Sequence, residues 1–277
     1  MGALFMILVI VAMLYALLAM PRVNMRPDMS RQMTDYAHRG LFDNSQGVPE
    51  NSLSAFRYAV EREYGIELDV QLTADGEVVV FHDYSLKRMC GDEASISSLT
   101  LDRLKGYRLI GTSEAIPTLS EVLDLVDGRV PILIELKGED GNTALCAAVA
   151  SLLMMYGGTY SVQSFNPLLL RWFKKFRPDT VRGLLYTNFV KSKAEGRFFR
   201  NFALSAMLAN FLSRPDFIAA DERFLRALPI RVCNSVFNTP LFVWTVRKQE
   251  HYNINKENGD FSVFEGFDPK NFNREDA

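Results

Sequence analysis

The sequence is poor in the residues that build covalent or soft-metal frameworks. Three cysteines occur in 277 residues, Cys90, Cys146 and Cys233. They are odd in number, far apart and at no zinc-ligand spacing, which argues against both a disulfide framework and a zinc module and fits a reducing compartment. Histidine is equally scarce, at His38, His82 and His251, so the position of each one is informative. No charge of one sign dominates: 31 basic and 33 acidic side chains give a net charge of −2. That balance argues against a nucleic-acid binder. The chain has no internal repeat beyond a regular strand–helix alternation, and no Lys or Arg precedes its one long apolar run.

That run, residues 2–20, is uncharged and 19 residues long. At about 1.5 Å per residue it is just long enough to cross a bilayer core. A cleaved signal peptide is the competing reading. The run lacks a basic n-region, exceeds a usual h-region and has no small-x-small cleavage site, and Pro21 follows it directly. The expectation is therefore a retained single-pass anchor over residues 1–21. Arg22, Arg26 and Arg31 follow it, which places the body of the protein on the cytoplasmic side. Residues 22–34 are polar with two prolines and read as a linker.

Residues 66–83 organise the rest. They read as strand, tight turn and strand, with Asp75-Gly76 at the turn. Glu67 and Asp69 are two apart, so on a strand both carboxylates point the same way. Side by side in an apolar strand they repel, and a bound cation is the least costly remedy. His82 ends the second strand and Asp83 follows it. Upstream, residues 34–40 form a short strand ending in His38 and Arg39. Asn51 or Ser52 caps a helix over about 54–63. Downstream, about thirty irregular residues lead to a helix capped by Thr118 or Ser120. Next comes a buried strand with Glu135 and Lys137 on one face.

The alternation continues with strands at 159–165, 181–186, 217–220, 241–246 and 261–264 and helices between them. One of those helices is expected from Glu222. Nearly half the residues are hydrophobic, enough for the core of a closed (β/α)8 barrel of ordinary size. Such barrels carry their site at the C-terminal strand ends. His38, Glu67, Asp69, His82, Glu135 and Lys137 all fall at expected strand ends. The barrel is expected over residues 35–267, with a polar tail at 268–277.

His38-Arg39, Glu50-Asn51, Glu67-Leu68-Asp69, His82-Asp83 and Glu135-Leu136-Lys137, in this order and spacing, resemble the glycerophosphodiester phosphodiesterase family. The likeness is strong over residues 36–138 and weaker through Gln163-Ser164-Phe165-Asn166-Pro167 and Phe242-Val243-Trp244-Thr245-Val246. It implies a TIM barrel that hydrolyses glycerophosphodiesters to an alcohol and sn-glycerol 3-phosphate with a divalent metal. By position, Glu67, Asp69 and Glu135 resemble the metal ligands. His38 and His82 resemble the general acid–base pair, and Arg39 and Lys137 the phosphate contacts. Glu50 and Asn51 belong to the same motif set. An all-oxygen ligand set suits Ca²⁺ or Mg²⁺ rather than zinc. Phe165 and Trp244, at late strand ends, are candidates for an apolar wall beside the glycerol moiety or for core packing. The last strand, Phe261 to Pro269, departs from the aspartate-rich ending of many relatives.

Two other functions compete. Lysophospholipase D-like and sphingomyelinase D-like enzymes resemble this family and act on lipid phosphodiesters, which an anchor favours. A catalytically inactive, membrane-anchored binding protein is the reading from another class, and the intact set of catalytic residue types argues against it. His251 reads as a surface histidine. The basic stretch at 191–197, followed by the apolar run 198–212, reads either as a helix packed on the barrel or as a segment lying on a membrane surface.

Overall fold

The structure, a computed structural model, describes residues 2–24, 26–138 and 142–270. The expected polar tail lies outside the described residues from position 271 on. In chain order the elements are α1 (Gly2–Ala19), β1 (Tyr36–His38), α2 (Leu53–Glu61), β2 (Gly65–Leu72), β3 (Val78–Val80), α3 (Lys87–Cys90), α4 (Leu101–Leu104), α5 (Leu119–Val126) and β4 (Ile132–Leu136). They continue with α6 (Ala144–Leu153), β5 (Tyr160–Ser164), α7 (Pro167–Phe176), β6 (Arg182–Tyr186), α8 (Phe198–Ser205), α9 (Asn210–Ser213), β7 (Phe217–Asp221), α10 (Leu228–Arg231), β8 (Leu241–Val246), α11 (Gln249–Asn258) and β9 (Phe261–Phe264).

Eight of these strands, β1, β2 and β4 to β9, are parallel and close on themselves through the β1–β9 and β1–β2 pairings. This is the expected (β/α)8 barrel. Alternation along each strand sorts its side chains. Ile66, Leu68 and Val70 of β2, and Ile132 and Ile134 of β4, face the helices and join one large core. Tyr36, Leu133, Leu185, Phe217, Ala219, Phe242 and Val263 fill the lower lumen as a second cluster. Gly183 leaves room there for the Phe217 ring, since a Cβ on Gly183 would lie 2.0 Å from it. Above this apolar plug the lumen turns polar with Glu67, Asp69, Glu135 and Gln163, all buried.

Several local expectations hold with named causes. Ser52, not Asn51, caps α2: its side chain accepts from Ala55 N. Thr118 caps α5 in a capping box with Glu121. No long helix starts at Glu222. A single turn at Glu222–Phe224 is followed by α10 with Pro229 in its first turn, and a proline there prevents a helix from running through. The expected strand ends need a correction as well. β3 runs antiparallel to β2 as the return arm of a hairpin that rises above the barrel. His82 reaches the mouth from above, where Phe81 N donates to Asp69 O at 2.9 Å. Residues 84–116, with their own apolar cluster of Leu86, Met89, Ile96, Leu104 and Ile116, complete this excursion.

Residues 22–34 are not a loose spacer. Met29 is buried in the lower-lumen cluster, Gln32 O accepts from Tyr36 Oη at 2.9 Å, and Arg22 donates to Pro178 O at 2.7 Å. They close the barrel at the N-terminal ends of its strands. α1 is apolar throughout and exposed except over its last two turns. It is the one helix among the described residues long and apolar enough to cross a membrane.

Candidate active site

Glu67 and Asp69 point into the lumen from β2, and Glu135 reaches it from β4. The parallel register pairs Asp69 with Glu135. One carboxylate oxygen from each of the three lies within 4.8 Å of the others, and all three residues are buried. Such a cluster is strongly self-repelling. Burial, then the charges of Asp69 and Glu135, pushes the Glu67 carboxyl well above its ordinary range. Asp69 goes the other way, because Lys137, His82, Arg39 and His38 outweigh its burial. Lys137 Nζ sits 2.8 Å from Glu135 Oε1 and 3.1 Å from Asp69 Oδ1. Asp69 Oδ1 is buried without an aligned hydrogen bond. Hard oxygen donors with net negative charge and an open lone pair fit a hard divalent cation.

Two cationic side chains converge on this cluster. Arg39 follows β1 in a left-handed conformation, φ 56°. Its backbone N donates to Glu67 Oε2 at 3.1 Å and its guanidinium to Glu50 Oε1 at 2.7 Å. Its Nε lies 3.5 Å from Asp69 Oδ2. Asn51 Nδ2 donates to the same Asp69 oxygen at 2.9 Å. The Asn51 side chain is therefore committed to the site rather than to a helix cap. Glu50 is buried and held below its ordinary range, because Arg88 and Arg39 together outweigh its desolvation.

The two histidines have matching environments. His38 Nδ1 is hydrogen-bonded to Glu265 Oε2, and His38 Nε2 lies 4.0 Å from Glu67 Oε2. His82 Nδ1 is 2.6 Å from Asp83 Oδ1. A carboxylate only accepts, so each Nδ1 carries the proton and each Nε2 keeps its lone pair. Burial pushes both imidazoles below their ordinary value, against the raising influence of the carboxylates.

Three participants were not legible in the sequence. Arg88, on α3 of the excursion, bridges Glu50 (2.7 and 2.9 Å) and Asp83 (2.6 Å) and so ties the β1 motif to the His82 motif. Glu265, just past β9, is fixed by Arg247 at 2.7 Å as well as by His38. It lies in the segment whose sequence departs from the common ending, and that departure was the only available signal. Gln163 Nε2 donates to Glu67 Oε1 at 3.2 Å. Phe165 and Trp244 meet edge to face at 5.5 Å between centroids, with Phe189 on the far side of Phe165 at 5.9 Å. They form an aromatic wall at the strand ends. Trp244 Nε1 is spent on Ala219 O at 2.8 Å. His251 lies on α11, paired with Glu222 and away from these residues.

Residues 38–260 match the glycerophosphoryl diester phosphodiesterase family. The chain belongs to that family. The glycerophosphodiester phosphodiesterase of Caldanaerobacter subterraneus subsp. tengcongensis is 37% identical over 165 residues, which cover 54% of this chain and 65% of that protein. The Bacillus subtilis protein YhdW is 30% identical over 225 residues, covering 77% of this chain and 86% of its own length. Among solved structures, the Thermotoga maritima glycerophosphodiester phosphodiesterase is 28% identical with a TM-score of 0.64, covering 83% of this chain and 94% of that one. A phosphodiesterase of Oleispira antarctica, solved with its product sn-glycerol-3-phosphate, shares the fold at a TM-score of 0.68 and 21% identity. That match covers 84% of this chain and 92% of the other. Within the family match lie His38, Glu67, Asp69, His82 and Glu135. Glu265 lies beyond it.

Proposed function

We propose that this member of the glycerophosphodiester phosphodiesterase family hydrolyses glycerophosphodiesters to an alcohol and sn-glycerol 3-phosphate. His38 and His82 would act as the acid–base pair, with a divalent cation held by Glu67, Asp69 and Glu135. The observation that carries this reading is the pair of imidazoles, each with Nδ1 tied to a carboxylate and each beside one buried acidic cluster. Each displacement at phosphorus needs two proton transfers at the reacting centre, one from the attacking hydroxyl and one to the departing alkoxide. One Nε2 takes the first proton as the new P–O bond forms. The second imidazole, in its protonated form, gives a proton to the alkoxide as the old P–O bond breaks. Attack by the neighbouring glycerol hydroxyl would yield a cyclic phosphate that water then opens, with the same two groups in exchanged roles.

The cation, Ca²⁺ or Mg²⁺ by donor type, supplies a positive charge that polarises the phosphoryl oxygen. Arg39 and Lys137 bring fixed positive charge to the same place, and Arg39 offers a planar fork suited to phosphate oxygens. Glu50 and Asn51 hold Arg39 and Asp69 in place, and Phe165 with Trp244 provides an apolar side for the glycerol carbons. The substrate in this reading is a small phosphodiester, and α1 anchors the enzyme to a membrane. The test is release of glycerol 3-phosphate from glycerophosphocholine by the full chain in detergent, with and without chelator, beside His38→Ala. Chelator-sensitive release that His38→Ala abolishes supports the reading. Choline release from lysophosphatidylcholine in its place would favour a lysophospholipase D-like activity. Silence on both by folded, metal-loaded protein would favour the binding protein.

A further inference from the structure

The aromatic surface of α8 sits at the same end of the barrel as the active site. α8 follows β6, and its loop is tied to the strand ends. Thr187 Oγ1 donates to Asp221 Oδ2 at 2.9 Å, and Asn201 Nδ2 donates to Ala194 O at 2.9 Å. Phe198, Phe199 and Phe202 project outward, 63%, 82% and 51% exposed. The apolar run does not continue as one amphipathic helix. Met207 turns inward to the core, and α9 packs against α7. The exposed phenyls are therefore not the outer edge of a buried face. Lys191, Lys193, Arg197 and Arg200 surround them, with Glu195 as the one acid among residues 191–200. In the same loop after β6, Phe189 contacts Phe165, and Phe165 contacts Trp244 at the mouth.

The course of α1 supplies a second line of support. Just past its end, Arg22 N donates to Pro215 O at 2.9 Å, beside the start of β7 at the barrel base. Asn210 Nδ2 holds Ala19 O at 2.8 Å, and Arg214 Nη1 holds Met20 O at 2.7 Å. One turn earlier, Tyr15 packs on the core. The last turns of the helix are thus docked on the barrel wall beside α9. Residues 2–14 continue beyond the docked turns and are exposed. They span roughly 20 Å at 1.5 Å per residue, less than the about 30 Å of a bilayer core. With its last turns docked, the helix holds the barrel close to the bilayer that it enters.

We propose that the catalytic mouth abuts the bilayer, with Phe198, Phe199 and Phe202 bedded in an anionic lipid surface beside α1. This rests on α1 being a membrane helix. Phenyls among basic side chains suit the headgroup–acyl boundary of an anionic leaflet. Phe189, Phe165 and Trp244, from the loop after β6 to the mouth, then give an amphiphilic phosphodiester an apolar route into the site.

The test uses the full chain reconstituted in phosphatidylcholine–phosphatidylglycerol vesicles. Bimane is placed at Phe199→Cys and, separately, at Met155→Cys. Met155 is 90% exposed and precedes β5 at the opposite end of the barrel. Doxyl-labelled lipid is expected to quench the label at 199 and leave that at 155 bright. A bright label at 199 on vesicle-bound protein, or stronger quenching at 155, overturns the orientation. Protein that fails to float with vesicles removes the anchor and the proposal with it. Quenching needs no turnover, so failure of the hydrolytic reading is seen separately. As a second arm, Phe198→Ser with Phe199→Ser is expected to lower turnover of a vesicle-borne glycerophosphodiester that carries an acyl chain on its alcohol side by about 10-fold, with turnover of soluble glycerophosphocholine unchanged. Equal loss on both substrates would refute the surface role.

Discussion

Replacing Lys137 by Met removes the cation closest to the acidic cluster while keeping most of its volume. The ammonium is 12% exposed and contacts Glu135 at 2.8 Å and Asp69 at 3.1 Å, both carboxylates being 10% exposed or less. Breaking a buried pair by deleting one partner costs about 3–5 kcal/mol, which for a domain of this size lowers Tm by roughly 6–20 °C. The loss depends on pH with a definite sign. Without Lys137, a cluster carboxyl titrates in the folded state above its unfolded value, as Glu67 already does. Stability is then present at low pH and lost as pH rises through that raised value, by up to about 1.4 kcal/mol per pH unit for one proton. The deficit is therefore larger near about pH 8 than near about pH 5.5. A divalent cation binding only the folded state restores part of it, about 2.7 kcal/mol at a hundredfold excess over Kd. Thermal unfolding of the full chain in detergent, at both pH values, with chelator or with Mg²⁺ or Ca²⁺, reads all three effects. A Lys137→Met protein with wild-type Tm in chelator at the higher pH would refute the reasoning. So would a deficit that shrinks as pH rises.

Four further outcomes are expected. His38→Ala and His82→Ala should each lower kcat by about 10²–10⁴-fold with little change in Tm, measured by glycerol 3-phosphate release. Glu265→Gln should lower kcat roughly 10–100-fold with KM nearly unchanged, by loosening the His38 ring, and Glu265→Asp should recover part of it; equal kcat in both variants and wild type would remove the positioning role. In acid, Glu265 contributes stability in the other direction. Its carboxyl is held down at about 2 because the His38 and Arg247 contacts outweigh its burial, so this stability is present above about pH 4.5 and lost as pH falls towards 2. Acid unfolding of Glu265→Gln should be flatter over that range. Gly183→Ala should cost about 1–3 kcal/mol or more, since its new Cβ meets the Phe217 ring at 2.0 Å; an unchanged Tm would show that the lower lumen is looser than its packing implies.

Much of this protein is decided locally. The strand–helix alternation, the capping box at Thr118 and the Asp75-Gly76 turn are short-range effects, and each follows from spacing and side-chain chemistry alone. The pairing of Glu67 with Asp69 on one face is equally local, because strand period makes it unavoidable. The closed barrel then converts two-residue spacing into a three-carboxylate cluster, because the register sets Asp69 beside Glu135. No local rule contains that register. Tertiary structure alone brought Arg88 between Glu50 and Asp83, from an irregular segment with no periodic signal. It likewise delivered Glu265 to His38 across 227 residues of chain, where only ring closure makes first and last strands neighbours. The same closure turned residues 22–34 from a polar stretch with two prolines into the floor of the barrel. It also gave the last turns of α1 a docking place beside α9. Sequence spacing is blind to these contacts, because they depend on how far the chain travels before it returns.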